Sequence, residues 1–504
     1  MKRIASLLLA MVMVFAMSVT AFADETYTIT VNGEEGYTYE VYQIFAGDLF
    51  VEESGEKILS NIVWGTGVSA AGQTALGDAA AKAATITDTA KAEAFADEVA
   101  PYLEDGTVMT ATGATYTAAV EEAGYYLIKN TNVPATGAYT DYILKVVEDV
   151  NVTPKAVYPT VDKQVLDEVD DAEEGAVNGW GETADHELNE TFQFKLIANL
   201  PANEAFDDYK TYKLVFTDTM SAGVTFEKIE SVTVDGVKLE EGQYTCTAKN
   251  GDAGTTWTLT ITDAKAIAGV NLTDGAVVEV IYNAHLNANA EIGNKDENKN
   301  TVKLQYSNNP NWDGTGEEEL GETEEDTVWV FTYEVNAVKV DGATVSTEEG
   351  ATPDKLAGAE FKLYNAEGKY AKLDGNGKLS AWVTEEEATV ITSGEDGTFK
   401  VAGLDAGTYY LKETKAPAGY NLLTTPITVV ITAVHAEDAS ETTATTEIKV
   451  NDVVNGTITV ENNKGTELPE TGGIGTTIFY LIGGTFVIAA AVLLVTRRRM
   501  NHEA

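Results

Sequence analysis

Thr256-Trp257-Thr258-Leu259-Thr260-Ile261 alternates a small polar residue with a large apolar one at every step. Side chains of an extended strand point to opposite faces in turn, so this stretch reads as a β-strand with one buried and one wet face. Thr26-Tyr27-Thr28-Ile29-Thr30-Val31 repeats the pattern near the start. The pairs Asp374-Gly375, Asn376-Gly377 and Asp396-Gly397 punctuate the later chain and supply the positive φ that tight hairpins need. The expectation is an all-β chain. One stretch departs from it: residues 70–103 are alanine-rich, and Ala92, Phe95, Val99 and Tyr102 share one helical face, which predicts a helical insertion in the first domain.

The two ends carry a different message. Lys2 and Arg3 precede an apolar stretch, and Ala21-Phe22-Ala23 is an A-x-A cleavage site, so residues 1–23 read as a secretory signal peptide. At the other end Leu468-Pro469-Glu470-Thr471-Gly472 is followed by an apolar run, 478–495, and by Arg497-Arg498-Arg499. The run is long enough for a transmembrane helix, and the arginines behind it hold the bulk of the chain outside.

Between those ends composition suggests three domains, placed at 24–156, 157–336 and 337–465, with 466–504 as the sorting and anchoring tail. The segment 149–160, with two prolines, marks the first junction. The acidic stretch 314–326 reads as a solvated loop before a strand over 328–335. The formal net charge of −47 excludes electrostatic binding to nucleic acid or to an anionic membrane surface. Cys246 is the single cysteine, so no internal disulfide forms, and it is expected to be a small core residue. His186, His285, His435 and His502 are scattered without metal-ligand spacing. With no nucleophile elbow and no phosphate loop, the chain reads as a non-enzyme with no cofactor and no metal. Gly65-Thr66-Gly67 lacks a βαβ context and reads as a loop, and 374–377 reads as hairpin turns, since later acidic calcium ligands are missing.

The pentapeptide 468–472 resembles the substrate motif of sortases, the transpeptidases of Gram-positive bacteria. That resemblance implies cleavage between Thr471 and Gly472, with the threonine held as a thioester until an amine attacks. Two further stretches extend the likeness. Tyr39-Glu40-Val41-Tyr42-Gln43-Ile44-Phe45-Ala46-Gly47-Asp48 resembles the opening of the backbone pilins of sortase-assembled pili. Leu356-Ala357-Gly358-Ala359-Glu360-Phe361, with 409–420 (Tyr409-Tyr410-Leu411-Lys412-Glu413-Thr414 onward), resembles a collagen-binding-protein B-type module. The resemblance implies tandem immunoglobulin-like β-sandwich domains acting as stalk units. It implies as partners pilin-specific and housekeeping sortases, other copies of the chain, ancillary pilins and peptidoglycan, and leaves room for a host matrix or mucosal ligand. A monomeric anchored adhesin and an ancillary pilin are the alternatives.

The resemblance also implies internal Lys–Asn isopeptide bonds. Such a bond needs a lysine made neutral by burial, an adjacent acid to shuttle protons, and a fold that presses the amine against a carboxamide. In the third domain it assigns Lys339, Glu413 and Asn462, with Asn463 as the rival to Asn462; in the second, Lys163, Asp218 and Asn300. Read without the family, Asp218 is instead a turn residue capping its own backbone. In the first domain Lys129 falls at the position that aligns with Glu413, which removes the acid, so no such bond is expected there. For polymerisation the nearest match to the family's linking-lysine motif is Val152-Thr153-Pro154-Lys155. It departs from the pattern in having Thr153 where a tyrosine is usual, which leaves Lys145 and Lys163 as alternatives to Lys155.

Overall fold

The computed structural model describes residues 26–465 apart from 52–56, 140, 147, 154–157, 168–178, 208, 252–253, 294–297, 311, 313, 347–351 and 436–445. The signal peptide, Lys155, the 468–472 motif and the apolar run behind it lie outside the described residues. Among the described residues no helix is long and apolar enough to cross a membrane. The chain divides into two compact units: residues up to 332 with 433–447, and 333–432 with 448 onward.

The first unit holds two β-sandwiches. In the first of them, one sheet runs Thr110–Thr112, Thr115–Val120, Tyr27–Asn32, Val150–Val152, and the other Lys57–Trp64, Thr38–Val51, Gly124–Asn132, Asp141–Val146. The alternation at the start is realised directly: Tyr27, Ile29 and Val31 enter a core with Tyr39, Val41, Tyr116 and Ile128. A bulge between Gln43 and Phe45 then turns the register of Thr38–Val51, so Phe45 faces the other way. There it meets the alanine-rich insertion. That insertion is three short α-helices, Ala70–Leu76, Ala79–Ala83 and Thr89–Val99, whose N-termini are capped by Ser69, Asp78 and Asp88, the last running into a 3-10 turn, Ala100–Tyr102. Ala92, Phe95, Val99 and Tyr102 all join the second core, and the Phe95 ring stacks on Phe45 at 5.4 Å. The Gly65–Gly67 segment is a loop that hugs the bulge. Gly67 N donates to Gln43 O at 2.9 Å, and a Cβ on Gly65 would lie 2.3 Å from that same oxygen. Because Phe95 is the aromatic that joins helix to sheet, Phe95→Ala should lower the stability of this sandwich by about 3–5 kcal/mol, read as an earlier thermal transition.

The second sandwich contains one sheet ordered Gly179–Gly181, Thr160–Asp167, Thr191–Leu200, Ala276–Leu286, Val224–Val234, Val237–Lys238. Its partner runs Thr183–Asp185, Asp326–Phe331, Lys299–Ser307, Leu214–Met220, Gly254–Ile261, Thr245–Gly251. Trp257, Leu259 and Ile261 are fully buried against Phe194, Leu196 and Tyr282 of the facing sheet.

In the second unit, Tyr333–Asp341 lies between Thr398–Leu404 and Thr457–Asn462. It runs parallel to Thr457–Asn462, with Lys339 opposite Val460 and Asp341 opposite Asn462. The facing sheet is built on Tyr370–Leu373, Glu360–Asn365 and Gly407–Lys415, and the Phe361 and Phe399 rings stack between the sheets at 4.7 Å. Residues 374–378 form a hairpin turn in which Asp374 Oδ1 accepts from the Asn376 and Lys378 amides and Gly377 takes φ 80°.

Three expectations are corrected. The strand expected over 328–335 is two strands, Asp326–Phe331 and Tyr333–Asp341, divided at Thr332 and belonging to different sheets. Continuous apolar character marks burial but not a change of sheet. The acidic loop at 314–326 contains a short strand, Leu320–Glu322, paired with Gln305–Ser307. Cys246 is exposed, not a core residue. It sits on the outermost strand of its sheet, where side chains 245–249 are all exposed because neither face is covered.

Candidate functional site

Each of the two lysines singled out at the start of a domain is completely buried beside an acid and an asparagine. In the second sandwich Lys163 lies on Thr160–Asp167, Asp218 on Leu214–Met220 and Asn300 on Lys299–Ser307, all without solvent exposure. Asp218 is therefore a mid-strand core residue and not a turn cap. Lys163 comes from one sheet, Asp218 and Asn300 from the other, and the cluster bridges the sandwich.

Lys163 Nζ donates to Asp218 Oδ2 and, at 2.9 Å, to the Tyr282 hydroxyl. The Tyr282 hydroxyl in turn donates to Asp218 Oδ2 at 2.9 Å and accepts from Asn300 Nδ2 at 2.7 Å. The Phe194 ring closes the pocket, its centroid 5.2 Å from the ammonium nitrogen. Burial pushes the Lys163 amine down, opposed by the Asp218 charge, and pushes the Asp218 carboxyl up, opposed by Lys163. Both shifts favour the neutral amine with the neutral acid. Tyr282 is the member that sequence reasoning missed. Its only signal is a phenol within the otherwise apolar buried positions Val278, Val280 and Ala284 of Ala276–Leu286.

The second cluster is built differently. Lys339 and Asn462 sit on neighbouring parallel strands, and Glu413 reaches them from the facing sheet. Lys339 Nζ donates to Val460 O at 2.9 Å and lies 3.9 Å from Glu413 Oε1. Asn462 Nδ2 donates to Glu413 Oε2 at 3.1 Å and to Asn421 O at 2.5 Å. Burial lowers the Lys339 amine to about 8 against the opposing pull of Glu413 and Glu461. Asn462 is buried, whereas the rival Asn463 is exposed. The strand end is fastened beside the cluster: Tyr420 donates to Asp341 Oδ2 at 2.8 Å, and Lys464 pairs with that oxygen at 3.2 Å.

The two clusters share a pattern of unpaired atoms. Asn300 Oδ1 and Asp218 Oδ1 in one, and Asn462 Oδ1 and Glu413 Oε1 in the other, are buried with no hydrogen-bond partner. Unpaired buried acceptors are costly, and in each cluster they belong to the same two chemical groups. In the first sandwich Lys129 is only half-buried and lies in register with Glu40. Lys155 and 468–472 lie outside the described residues, and so does the Lys145 side chain.

Comparison with known proteins gives this architecture its class. Residues 342–446 match the SpaA prealbumin-like fold domain, and 460–502 match the LPXTG cell wall anchor motif of Gram-positive bacteria. The chain is thus a cell-wall-anchored surface protein, and its anchor implies a sortase and peptidoglycan as partners. It is homologous to Gram-positive backbone pilins. Over 419 residues it is 24% identical to the trypsin-resistant surface T6 protein of Streptococcus pyogenes serotype M6, covering 68% of this chain and 70% of that one. Over 181 residues it is 27% identical to fimbrial subunit type 1 of Actinomyces viscosus, covering 31% of each. The solved T6 backbone pilin of S. pyogenes serotype M6, described as a modular three-domain structure, superimposes with a TM-score of 0.52 at 19% identity. That match covers 89% of this chain and 100% of the other.

Proposed function

We propose that this chain is the repeating shaft subunit of a covalent pilus, locked internally by two Lys–Asn amide bonds and joined head to tail by a pilin sortase. The observation that carries the reading is the recurrence, in two separate sandwiches, of a fully buried lysine, acid and asparagine. A buried charge is too costly to keep for stability alone, so two such sets ask for a chemical reason. Reaction of Lys163 with Asn300, and of Lys339 with Asn462, releases ammonia and leaves a neutral amide in place of an ion pair. In each case the acid, Asp218 or Glu413, takes a proton from the amine and returns one to the departing nitrogen. Once it carries a proton, each acid also offers an O–H donor to the unpaired oxygens of its cluster. The exposed Asn463 lacks the enclosure that this reaction needs.

The placement of the bonds suits a fibre. Tyr333–Asp341 and Thr457–Asn462 are the first and last strands of their domain and lie parallel, so tension on the chain ends shears their hydrogen-bond ladder. An amide between Lys339 and Asn462 carries that load covalently, as a disulfide would in a cysteine-rich protein. The domains proposed are 24–156, 157–332 and 333–465, the second boundary moved from 336 so that Tyr333–Asp341 stays whole, with no bond of this type in the first.

Between subunits, a pilin sortase would cleave after Thr471 and pass its carbonyl to Lys155 of the next copy; a housekeeping sortase would move the finished polymer to peptidoglycan. Lys163 is sealed in the core, which supports Lys155 over it as the acceptor. Ancillary pilins and a role in adhesion to host matrix or mucosa complete the reading. Cell-wall extracts boiled in SDS and reductant and immunoblotted should give a ladder of high-mass bands that collapses to monomer in Lys155→Ala. A ladder surviving in the variant moves the acceptor elsewhere, while monomer alone in wild type makes the chain a stalked adhesin.

A further inference from the structure

The geometry points to Tyr282 as a catalytic residue of the second sandwich, relaying a proton between Asp218 and the leaving nitrogen of Asn300. This rests on the amide-forming reading of that cluster and adds a residue to it.

The argument comes from the contrast between the clusters. In the third domain the acid touches the leaving nitrogen directly, Glu413 Oε2 accepting from Asn462 Nδ2 at 3.1 Å. In the second, Asn300 interacts with Asp218 as well, but its Nδ2 donates to the Tyr282 hydroxyl at 2.7 Å, and that hydroxyl donates to Asp218 Oδ2 at 2.9 Å. The same oxygen also touches the attacking amine, Lys163 Nζ, at 2.9 Å. One phenol therefore contacts both reacting nitrogens and the acid. Burial, reinforced by the Asp218 charge, pushes the phenol well above its ordinary value, so Tyr282 holds a proton and acts by exchanging it, not by ionising.

The atoms balance as follows. Asp218 takes one proton from the Lys163 ammonium, and the freed amine attacks Asn300 Cγ, forming the new C–N bond. The hydrogen-bond chain then runs in reverse: Asp218 donates to the phenol oxygen while the phenol passes its own proton to Nδ2. The Cγ–Nδ2 bond breaks and ammonia leaves. The new amide nitrogen sheds a second proton to Asp218. Of the three ammonium protons, one stays on the amide, one completes the ammonia and one remains on Asp218. No oxidant or other reactant is needed.

The test uses the full chain, in which the Lys339–Asn462 site is an internal control. Tryptic mapping by mass spectrometry follows the cross-linked peptides containing Lys163 and Asn300, and those containing Lys339 and Asn462, immediately after synthesis and on incubation. Tyr282→Phe should slow the first bond by about 10²-fold, the scale of general acid–base catalysis, and leave the second at its wild-type rate. An unchanged rate at the first site overturns the proposal. Because the phenol is in the core, a second variant guards against simple misfolding: Tyr282→difluorotyrosine keeps the ring and hydroxyl but makes the phenol more acidic. A relay predicts a changed rate at the first site with the second site unchanged; a packing role predicts no change at either. Absence of the Lys163–Asn300 peptide from wild type, seen before any variant is made, would sink the underlying reading and this proposal with it.

Discussion

A full-length Lys163→Met chain should unfold its second sandwich far more easily than wild type, and its deficit against Asn300→Ala should shrink as the solution is acidified. Both variants lose the cross-link to Asn300, and closing a loop of that length is worth about 5 kcal/mol in the chain-entropy estimate. Asn300→Ala keeps Lys163 beside Asp218, whereas Lys163→Met leaves Asp218 buried without its cation, a cost of about 3–5 kcal/mol when one partner of a buried pair is removed. Burial already raises the Asp218 carboxyl, and removing Lys163, which opposes that rise, lifts it further. A carboxyl raised in the folded state contributes stability below its unfolded value, and that contribution is lost as pH rises through the folded value. Lys163→Met should therefore be much less stable than Asn300→Ala near neutral pH and approach it below about pH 4, near the unfolded carboxylate value. Urea denaturation of both variants across that range checks the pattern. A constant gap at all pH values would mean that Asp218 does not titrate in the folded variant.

Much of this arrangement was legible in the sequence because a β-sandwich writes its core in period two. Trp257, Leu259 and Ile261 alternate with threonines, and they are buried as the alternation requires. Lys163, Asp218, Asn300, Lys339, Glu413 and Asn462 could be singled out through family likeness, and the fold gathers them into two clusters. What periodicity cannot report is the facing sheet. Tyr282 obeys the apolar pattern of its strand, and only the opposite sheet reveals that its hydroxyl ends between two nitrogens and a carboxylate. Cys246 fails for the converse reason, on a strand no other layer covers. The division at Thr332 between two apolar strands likewise depends on which sheet each one joins. The alanine-rich insertion gave its inward face correctly, but its three-part form is set by caps at Ser69, Asp78 and Asp88, visible as capping residue types within the run.

An Asn462→Ala chain, whose Lys339 has no carboxamide to attack, should become more stable as pH rises from about 8 toward the ordinary lysine value near 10.5, the reverse of most proteins in that range. Lys339 is sealed from solvent, and burial lowers its amine to about 8 in the folded state. A lysine depressed in the folded state binds fewer protons there than in the unfolded chain between those two values. Stability climbs with pH wherever the unfolded state holds the extra proton. Below pH 8 both states are charged, and the folded domain bears the full cost of a buried ammonium held by Glu413 and Val460 O. Above 10.5 both are neutral and that cost is gone. Wild type should lack the effect, because conversion of Lys339 to an amide removes the titrating group. Thermal melts of Asn462→Ala beside wild type at pH 7 and at pH 10 provide the measurement. Equal pH dependence in the two chains would mean either that Lys339 is not depressed or that wild type carries no amide.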